Sequence, residues 1–280
     1  MSKPTTIKKP SFSLELVMDD FNKRVRIESF RGNVIDLVNF LHEKASANIY
    51  EKLIVQARST QWEELLKLGF ELEGKLRRFF NGSEGYIMTY YYNDKRRTSS
   101  HWSVEQEILQ NVIKKHIKPI KRDLPLQYQL RKATVDDAKA LATLYQAVFP
   151  IYPTPMNEAK YVRKMIESGS IFWVTEYEGD IVSSASADLN KIFHHAELTD
   201  CATLPEHRSH GLMKHLLVKL EEELVSMGFY CAFSLARARS FGMNDAFYQL
   251  GYSYGGRLTN NCYIFEDLED MNVWVKDLSQ

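Results

Sequence analysis

Apolar residues recur at helical spacing through Ala138, Leu141, Ala142, Leu144, Tyr145 and Val148, directly after Thr134 and two aspartates. The pattern predicts a helix capped by Thr134, with "QYQLRK" as the strand before it. Alternation in "SIFWVTEYEGDIVSSASADL" predicts a hairpin turning at Glu178 to Asp180. "AELTDCATL" then reads as a strand, "PEHRSHG" as a turn and "LMKHLLVKLEEEL" as an amphipathic helix. "FYCAFSLARA" is a further strand, "MNDAFYQLGY" a short helix stopped by Gly251, and "GRLTNNCYIF" the last strand.

The first half carries a worn echo of this order. "IYEKLIVQARS" parallels "FYCAFSLARARS", and "LLKLGFELEGKL" parallels "FYQLGYSYGGRL". Upstream, "RVRIESFRGNVIDLVNFL" again gives strand, turn and helix, but its turn of Arg31, Gly32 and Asn33 is too short to wrap a diphosphate. The echo predicts a duplicated unit of which the second copy keeps the chemistry. A charge run, a helix pattern and two prolines between Asn93 and Leu126 mark the boundary. The expected organisation is a disordered arm over residues 1–10, a first domain over 11–98, a linker with a helix over 99–125 and a second domain over 126–280.

Composition narrows the class. Lys plus Arg and Asp plus Glu are 36 each, so no basic field argues for a nucleic-acid partner. No apolar run reaches the roughly 20 residues a bilayer demands, and "MSKPTTIKKPSFS" has no apolar core after its lysines, so a cytoplasmic protein is expected. Cys201, Cys231 and Cys262 lie far apart among apolar residues and read as reduced thiols. His194, His195, His207, His210 and His215 lack any metal-site spacing, and no metal is expected. Ser183, Ser184 and Ser186 lack the context of a serine hydrolase.

The turn "PEHRSHGLM" is the first candidate for chemistry. A helix N-terminus leaves backbone N–H groups unpaired and carries partial positive charge, which suits a phosphate. Gly211 permits a positive φ and close backbone approach. Arg208 and Gly211 alone make a weak motif. In its setting, between a strand and a long helix and ahead of Asn244, Ala246, Tyr248, Gly251 and Tyr252, it resembles the loop and later segment of the GNAT acetyltransferase superfamily. Met213 and His210 depart from the superfamily pattern, as does the Asn-to-Ala spacing, which is one residue short.

The resemblance implies an α/β (α+β) GNAT fold, with a mixed, mostly antiparallel central sheet flanked by helices, preceded by a degenerate GNAT-like N-terminal domain. It implies acetyl-CoA as co-substrate. Arg208, Ser209, His210, Gly211, Leu212 and Met213 would hold the diphosphate through backbone N–H groups; Cys201, Ala202 and Thr203 would pair with pantetheine like an added strand. Asn244 would bond the pantetheine side and Tyr248 would protonate the departing thiolate. An amine substrate is about one part in a thousand unprotonated at neutral pH, so a carboxylate base is needed. Glu197 and Asp200 interrupt an apolar strand, where charges need a reason. Glu197 is expected to be the base and Asp200 to hold the substrate, both facing the cleft if a bulge splays the strand.

"YPTP", "AELTDCATLPE", "LARARSFGMN", "LTNNCYIF" and "EDMNVW" resemble the β-lysine N6-acetyltransferase family, across nearly the whole chain. That resemblance implies acetylation of β-lysine to the osmolyte N-epsilon-acetyl-β-lysine, by direct transfer in a ternary complex. Asn260, Asn261 and Asn272 are then candidate amide donors for the substrate carboxylate, and Tyr152, Trp173 and Trp274 candidate walls for its aliphatic stem. "EDMN" equally suits a helix N-terminus. The first domain is expected to cap the second, to form one face of the cleft or to mediate a homodimer; neither membrane nor nucleic acid is an expected partner. Two alternatives stay open: acetylation of another small amine or of a protein lysine, and a non-catalytic acyl-CoA-binding module.

Overall fold

A computed structural model describes residues 5–48, 50–117, 124–265 and 267–279. Residues 1–4 of the expected arm and 118–123 of the expected linker lie outside these. The first half contributes β1 (Thr5–Lys8), β2 (Phe12–Asp19), β3 (Arg24–Gly32), α1 (Val34–Asn48), β4 (Lys52–Arg58), α2 (Trp62–Lys67), β5 (Glu71–Phe80) and β6 (Ser83–Tyr91). α3 (Asp94–Arg97) and α4 (Trp102–Ile113) bridge the halves. The second half contributes β7 (Tyr128–Lys132), α5 (Ala138–Val148), α6 (Ala159–Glu167), β8 (Ile171–Tyr177), β9 (Asp180–Asn190), β10 (His195–Thr203), α7 (Leu212–Ser226), β11 (Cys231–Arg237), α8 (Phe241–Gln249), β12 (Ser253–Ile264) and β13 (Asp267–Asp277).

Local chemistry accounts for several of these elements. The Thr134 N–H donates to the Asp137 carboxylate at 2.7 Å, which fixes the entry to α5. Glu178 and Gly179 both have positive φ between the paired residues Tyr177 and Asp180, the geometry that joins two right-twisted strands most tightly. Two expectations need correction. Residues 5–8, expected as disordered arm, form β1 and pair with β2 from Thr5 opposite Leu16 to Lys8 opposite Ser13. "GRLTNNCYIF" is followed by another strand, since "EDMN" lies in β13 and not at a helix start. β13 sits between β11 and β12 with residues 269–275 buried on both faces, and Glu269 is paired there with Arg237 and Arg239.

All strands join one sheet in the order β1-β2-β3-β4-β6-β5-β12-β13-β11-β10-β9-β8-β7. Pairing is antiparallel except for β3 with β4 and β10 with β11. The two halves therefore run outward from a seam, β5 against β12, in matching order: β5-β6-β4-β3-β2 on one side and β12-β13-β11-β10-β9 on the other. The irregularities match too. Register shifts fall at Leu72/Gly74 and Leu76/Phe80 in β5, and at Tyr254/Gly256 and Leu258/Cys262 in β12.

The sheet coils so that its halves face each other. One core joins Ile54, Phe79 and Phe80 of the first half to Phe233, Val273 and Val275 of the second. A second core packs α1 on the outer face of the first half, and a third packs α7 and α8 on the second. α5 and α6 cover the rest of the inner face of the second half. A cleft between the halves is thus bounded by strands from both.

Candidate active site

β10 is where the sheet opens. It pairs in parallel with β11 only from His195 opposite Cys231 to Glu197 opposite Phe233. Beyond Glu197 the two strands diverge, and its pairing with β9 shifts register between Thr199 and Ala202. Asp200 carries the bulge with φ +49°, a conformation that Asp tolerates better than most residues. Three contacts hold it there. The Ser186 hydroxyl donates to the Asp200 carboxylate at 2.7 Å, the Tyr152 hydroxyl also bonds it, and the Tyr145 hydroxyl donates to its carbonyl at 2.8 Å.

The bulge decides which side chains share a face. Ala196 and Leu198 point into the core beneath α7, so Glu197 points the other way, toward the cleft. Strict alternation would send Asp200 to the side of Leu198. The left-handed turn instead delivers it to the face of Tyr145, so Glu197 and Asp200 converge. Asp188 joins them, since it lies directly opposite Glu197 on β9 and takes a 2.7 Å hydrogen bond from Ser170.

Few cations compensate these carboxylates. Burial raises Glu197 to about 8, and its neighbours Asp188, Glu28 and Asp200 push the same way against the pull of Arg26. Burial, then Asp188, raises Asp200 to about 7 against its hydrogen bonds from Ser186 and Tyr152. Asp188 is raised by burial too, opposed by Ser170 and Arg26. Such a site holds protons when empty and favours an incoming cation.

Two cavities meet beside it. One, of about 710 Å³, runs along the divergence of β10 and β11 past Cys201, Thr203 and Ser234 to the α7 turn at Arg208, Ser209, Gly211, Leu212 and Met213. The other, of about 630 Å³, lies between Asp19–Phe21 of the first half and the loop after α5. Phe149 and Tyr152 line both, so Tyr152 stands at their junction.

The first cavity suits a long ligand with a diphosphate. Divergence leaves the 199–203 edge of β10 facing open space rather than β11, so its backbone groups can take an added strand. Gly211 caps α7 with φ +79° and Ser209 precedes it at φ +67°, which turns successive N–H groups toward the cavity. No acidic residue occupies the first turn of α7, while Arg208 and Lys214 line the same wall. Met213 lines the cavity and packs on the core beneath α7, where its length is accommodated behind the loop.

Comparison with known proteins agrees with this geometry. The acetyltransferase (GNAT) family model matches residues 138–252. The chain is 37% identical to the N-acetyltransferase YodP of Bacillus subtilis over 98% of its length and 99% of that protein. It is 35% identical to the β-lysine N6-acetyltransferase of Methanosarcina mazei over 89% of its length and 99% of that protein. The chain belongs to the β-lysine N6-acetyltransferase family of GNAT acetyltransferases. It is similar in fold to an N-acetyltransferase from Staphylococcus aureus, with a TM-score of 0.48, 19% identity, and 54% of this chain and 99% of that one covered.

Within this acetyltransferase not every expected site residue reaches the cleft. Asp200, Tyr152, Cys201, Thr203, Arg208, Ser209, Gly211, Leu212 and Met213 line it, Glu197 stands at its head as the last β10 residue paired with β11, and His210 lies on the α7 turn against the Tyr128 ring. Ala202 turns inward onto Tyr145 and Met156, so only its backbone is on offer. Asn244 is engaged within the fold in the ligand-free chain. Its amide donates to the carbonyls of Arg237 and Ser240, and its oxygen accepts from Asn272 and Trp274, which leaves nothing for a ligand.

Tyr248 is engaged as well in the ligand-free chain. Its hydroxyl donates to the Ile113 carbonyl at 2.9 Å, at the end of α4, while its neighbours Ala246 and Phe247 line the cleft. Asn260, with φ +43°, donates to the carbonyls of Lys95, Arg96 and Thr98, and the Asn261 carbonyl accepts from Arg24 and Arg96. That pair forms a bulge that ties the halves together. Trp274 is fully buried and Trp173 donates to Glu223, so neither walls the cleft. Among the described residues no group of three or more His, Cys, Asp or Glu could hold a metal ion. Asp188, Tyr145, Ser186 and Arg26 are not among the expected site residues; only Asp188 carries a local signal, as an acid closing the run of small residues "SSASA".

Proposed function

We propose that this acetyltransferase transfers the acetyl group of acetyl-CoA to the N6 amine of β-lysine, giving the osmolyte N-epsilon-acetyl-β-lysine by direct transfer in a ternary complex. The observation that carries the reading is the convergence of Glu197, Asp200 and Asp188 at the mouth of the divergence between β10 and β11. The substrate is taken from the name of the 35% identical relative.

Acetyl-CoA, when bound, supplies an activated carbonyl. The residues of the chain supply the rest. The 201–203 backbone and the α7 turn hold the long ligand, and Asp188 and Asp200 neutralise the cationic amine. Glu197, raised to about 8, accepts a proton from the ammonium more readily than an ordinary carboxylate would. Burial pushes the Cys201 thiol up, so it stays protonated at neutral pH and is a poor covalent carrier, which supports direct transfer.

A second reading, in which another small amine is acetylated, rests on the acidic cluster of Glu197, Asp200 and Asp188, which attracts any ammonium. Purified protein, acetyl-CoA and a panel of β-lysine, lysine, polyamines and a lysine peptide separate the two by released CoA and product mass. Efficient turnover of β-lysine alone supports the first reading. Preference for another amine replaces it with the second, and turnover of none removes both.

A further inference from the structure

The positive charge that acts on Glu197 comes from the first half. In β3, Val25 and Ile27 point into the core beneath α1, so Arg24, Arg26 and Glu28 face the opposite way, into the fold. Arg24 is committed to the interface, donating to Asp19 at 2.8 Å and to the Asn261 carbonyl at 3.0 Å. Arg26 is placed differently. Its guanidinium meets Glu28 at 3.1 Å with a fifth of the side chain exposed, and it lies within the field of Glu197 and Asp188. His195, two residues before Glu197 on the same face, stacks on Phe79 of β5 at 3.7 Å, so the first half closes directly over this stretch of β10.

Arg26 and Glu197 hold the same place in the two copies. Lys23 and His194 both have positive φ, and each accepts a backbone hydrogen bond at 2.8 Å from the residue before the next parallel strand, Glu51 and Tyr230. β3 then pairs from Arg24 opposite Lys52, and β10 from His195 opposite Cys231. Three residues past each corner stand Arg26 and Glu197. The cleft between the copies thus sets a guanidinium from one half within reach of the charges of Glu197 and Asp188 from the other, with Tyr161 of α6 and Glu28 beside them.

That arrangement discriminates between amines. Carboxylates attract any ammonium and cannot tell a diamine from a diamino acid. A partly exposed guanidinium adds a planar donor fork that matches a carboxylate. We propose that Arg26 is a specificity-determining residue of this cleft and receives the carboxylate of the substrate while Asp188, Glu197 and Asp200 face its ammonium groups. In the ligand-free chain the guanidinium is partnered, by Glu28 among others, and the substrate carboxylate would exchange with those partners. This assignment rests on the β-lysine reading above.

The test is calorimetric binding to the CoA-saturated protein of β-lysine and of pentane-1,4-diamine, the same chain without its carboxylate. The wild type is expected to prefer β-lysine by about 10- to 100-fold, the range of a charge-assisted pair. Arg26→Gln should erase the preference and leave diamine and acetyl-CoA affinities within about threefold, and Arg26→Lys should keep part of it. Equal loss for both ligands, or an undiminished preference in the Gln variant, overturns the assignment. If the Gln variant does not fold, the Lys variant decides: a preference reduced about tenfold supports it and an unchanged one overturns it. A wild type that binds both ligands equally removes Arg26 from this role and leaves amine acetylation standing. A wild type that binds neither sinks the substrate reading together with this one.

Discussion

Gly74 and Gly256 lie opposite each other where β5 meets β12, and each follows the glycine that stops the preceding helix, Gly69 or Gly251, by the same interval. Residues that occupy equivalent places in the repeat are thus each other's pairing partners, and a local twofold relation passes between them. The seam is close: a Cβ on Gly256 would lie 2.1 Å from the Glu73 carbonyl oxygen and 2.8 Å from the Gly74 Cα, and its φ is +142°.

Gly256→Ala should therefore destabilise the whole molecule, by about 2–4 kcal/mol, because backbone and not a flexible side chain must move. Gly242→Ala is the control, since a Cβ there meets nothing within 4 Å and lies in α8, where alanine is favoured by about 1 kcal/mol. Thermal unfolding should show the two melting temperatures moving in opposite directions. Equal small shifts would mean that the seam is not tight.

Much of this architecture was legible because its elements are amphipathic. α5, the β8–β9 hairpin and the α7 turn follow from periodicity and capping. β13 was not, because Glu269, Asp270 and Asn272 look solvent-directed. They are buried because Arg237 and Arg239 pair with Glu269, the Asn260 N–H donates to Asp270, and Asn272 donates to Asn244. Those partners are distant in sequence. The carboxylates of β10 were legible as charges on an apolar strand, but their convergence depends on the positive φ of Asp200. Arg26 had no local signal, since only the coiling of the sheet brings the first half over β10.

The two β10 carboxylates should separate kinetically. Glu197→Gln removes the proton acceptor and is expected to lower kcat by about 10²–10⁴ with the acetyl-CoA Kd unchanged. Asp200→Asn keeps a side chain that tolerates positive φ and loses only charge, so it should raise the KM for the amine more than it lowers kcat. Steady-state kinetics on both variants checks this. If Asn at 200 costs the rate and Gln at 197 costs only KM, the roles exchange.

The raised carboxylates also fix the sign of a pH effect. Glu197 at about 8, Asp200 at about 7 and Asp188 keep protons in the folded state that the unfolded chain has released by about pH 4–5. The folded state binds more protons over that interval, so stability is fully present below the unfolded values and is lost as pH rises toward 8. His195, lowered to about 4 by burial, acts oppositely, but only below about pH 6.5, the ordinary histidine value. Between pH 6.5 and 8 the melting temperature of the ligand-free protein should fall, and Glu197→Gln should flatten the decline. A slope identical in the variant would show that Glu197 does not titrate there.

Tyr248 offers the sharpest contrast with the superfamily pattern. Its hydroxyl is spent on the Ile113 carbonyl at an exposed position, where α8 meets the end of α4. Tyr248→Phe removes one neutral hydrogen bond, worth about 1 kcal/mol of stability, and leaves the packing of the ring on Trp274 intact. Turnover should then stay within about twofold of wild type, because a proton donor contributes about 10²–10⁴ when it is in place and this one is not. Released CoA measured across pH 6–9 tests the point. A loss of rate beyond about a hundredfold, concentrated on the alkaline side, would mean that the hydroxyl leaves Ile113 and enters the cleft during the reaction.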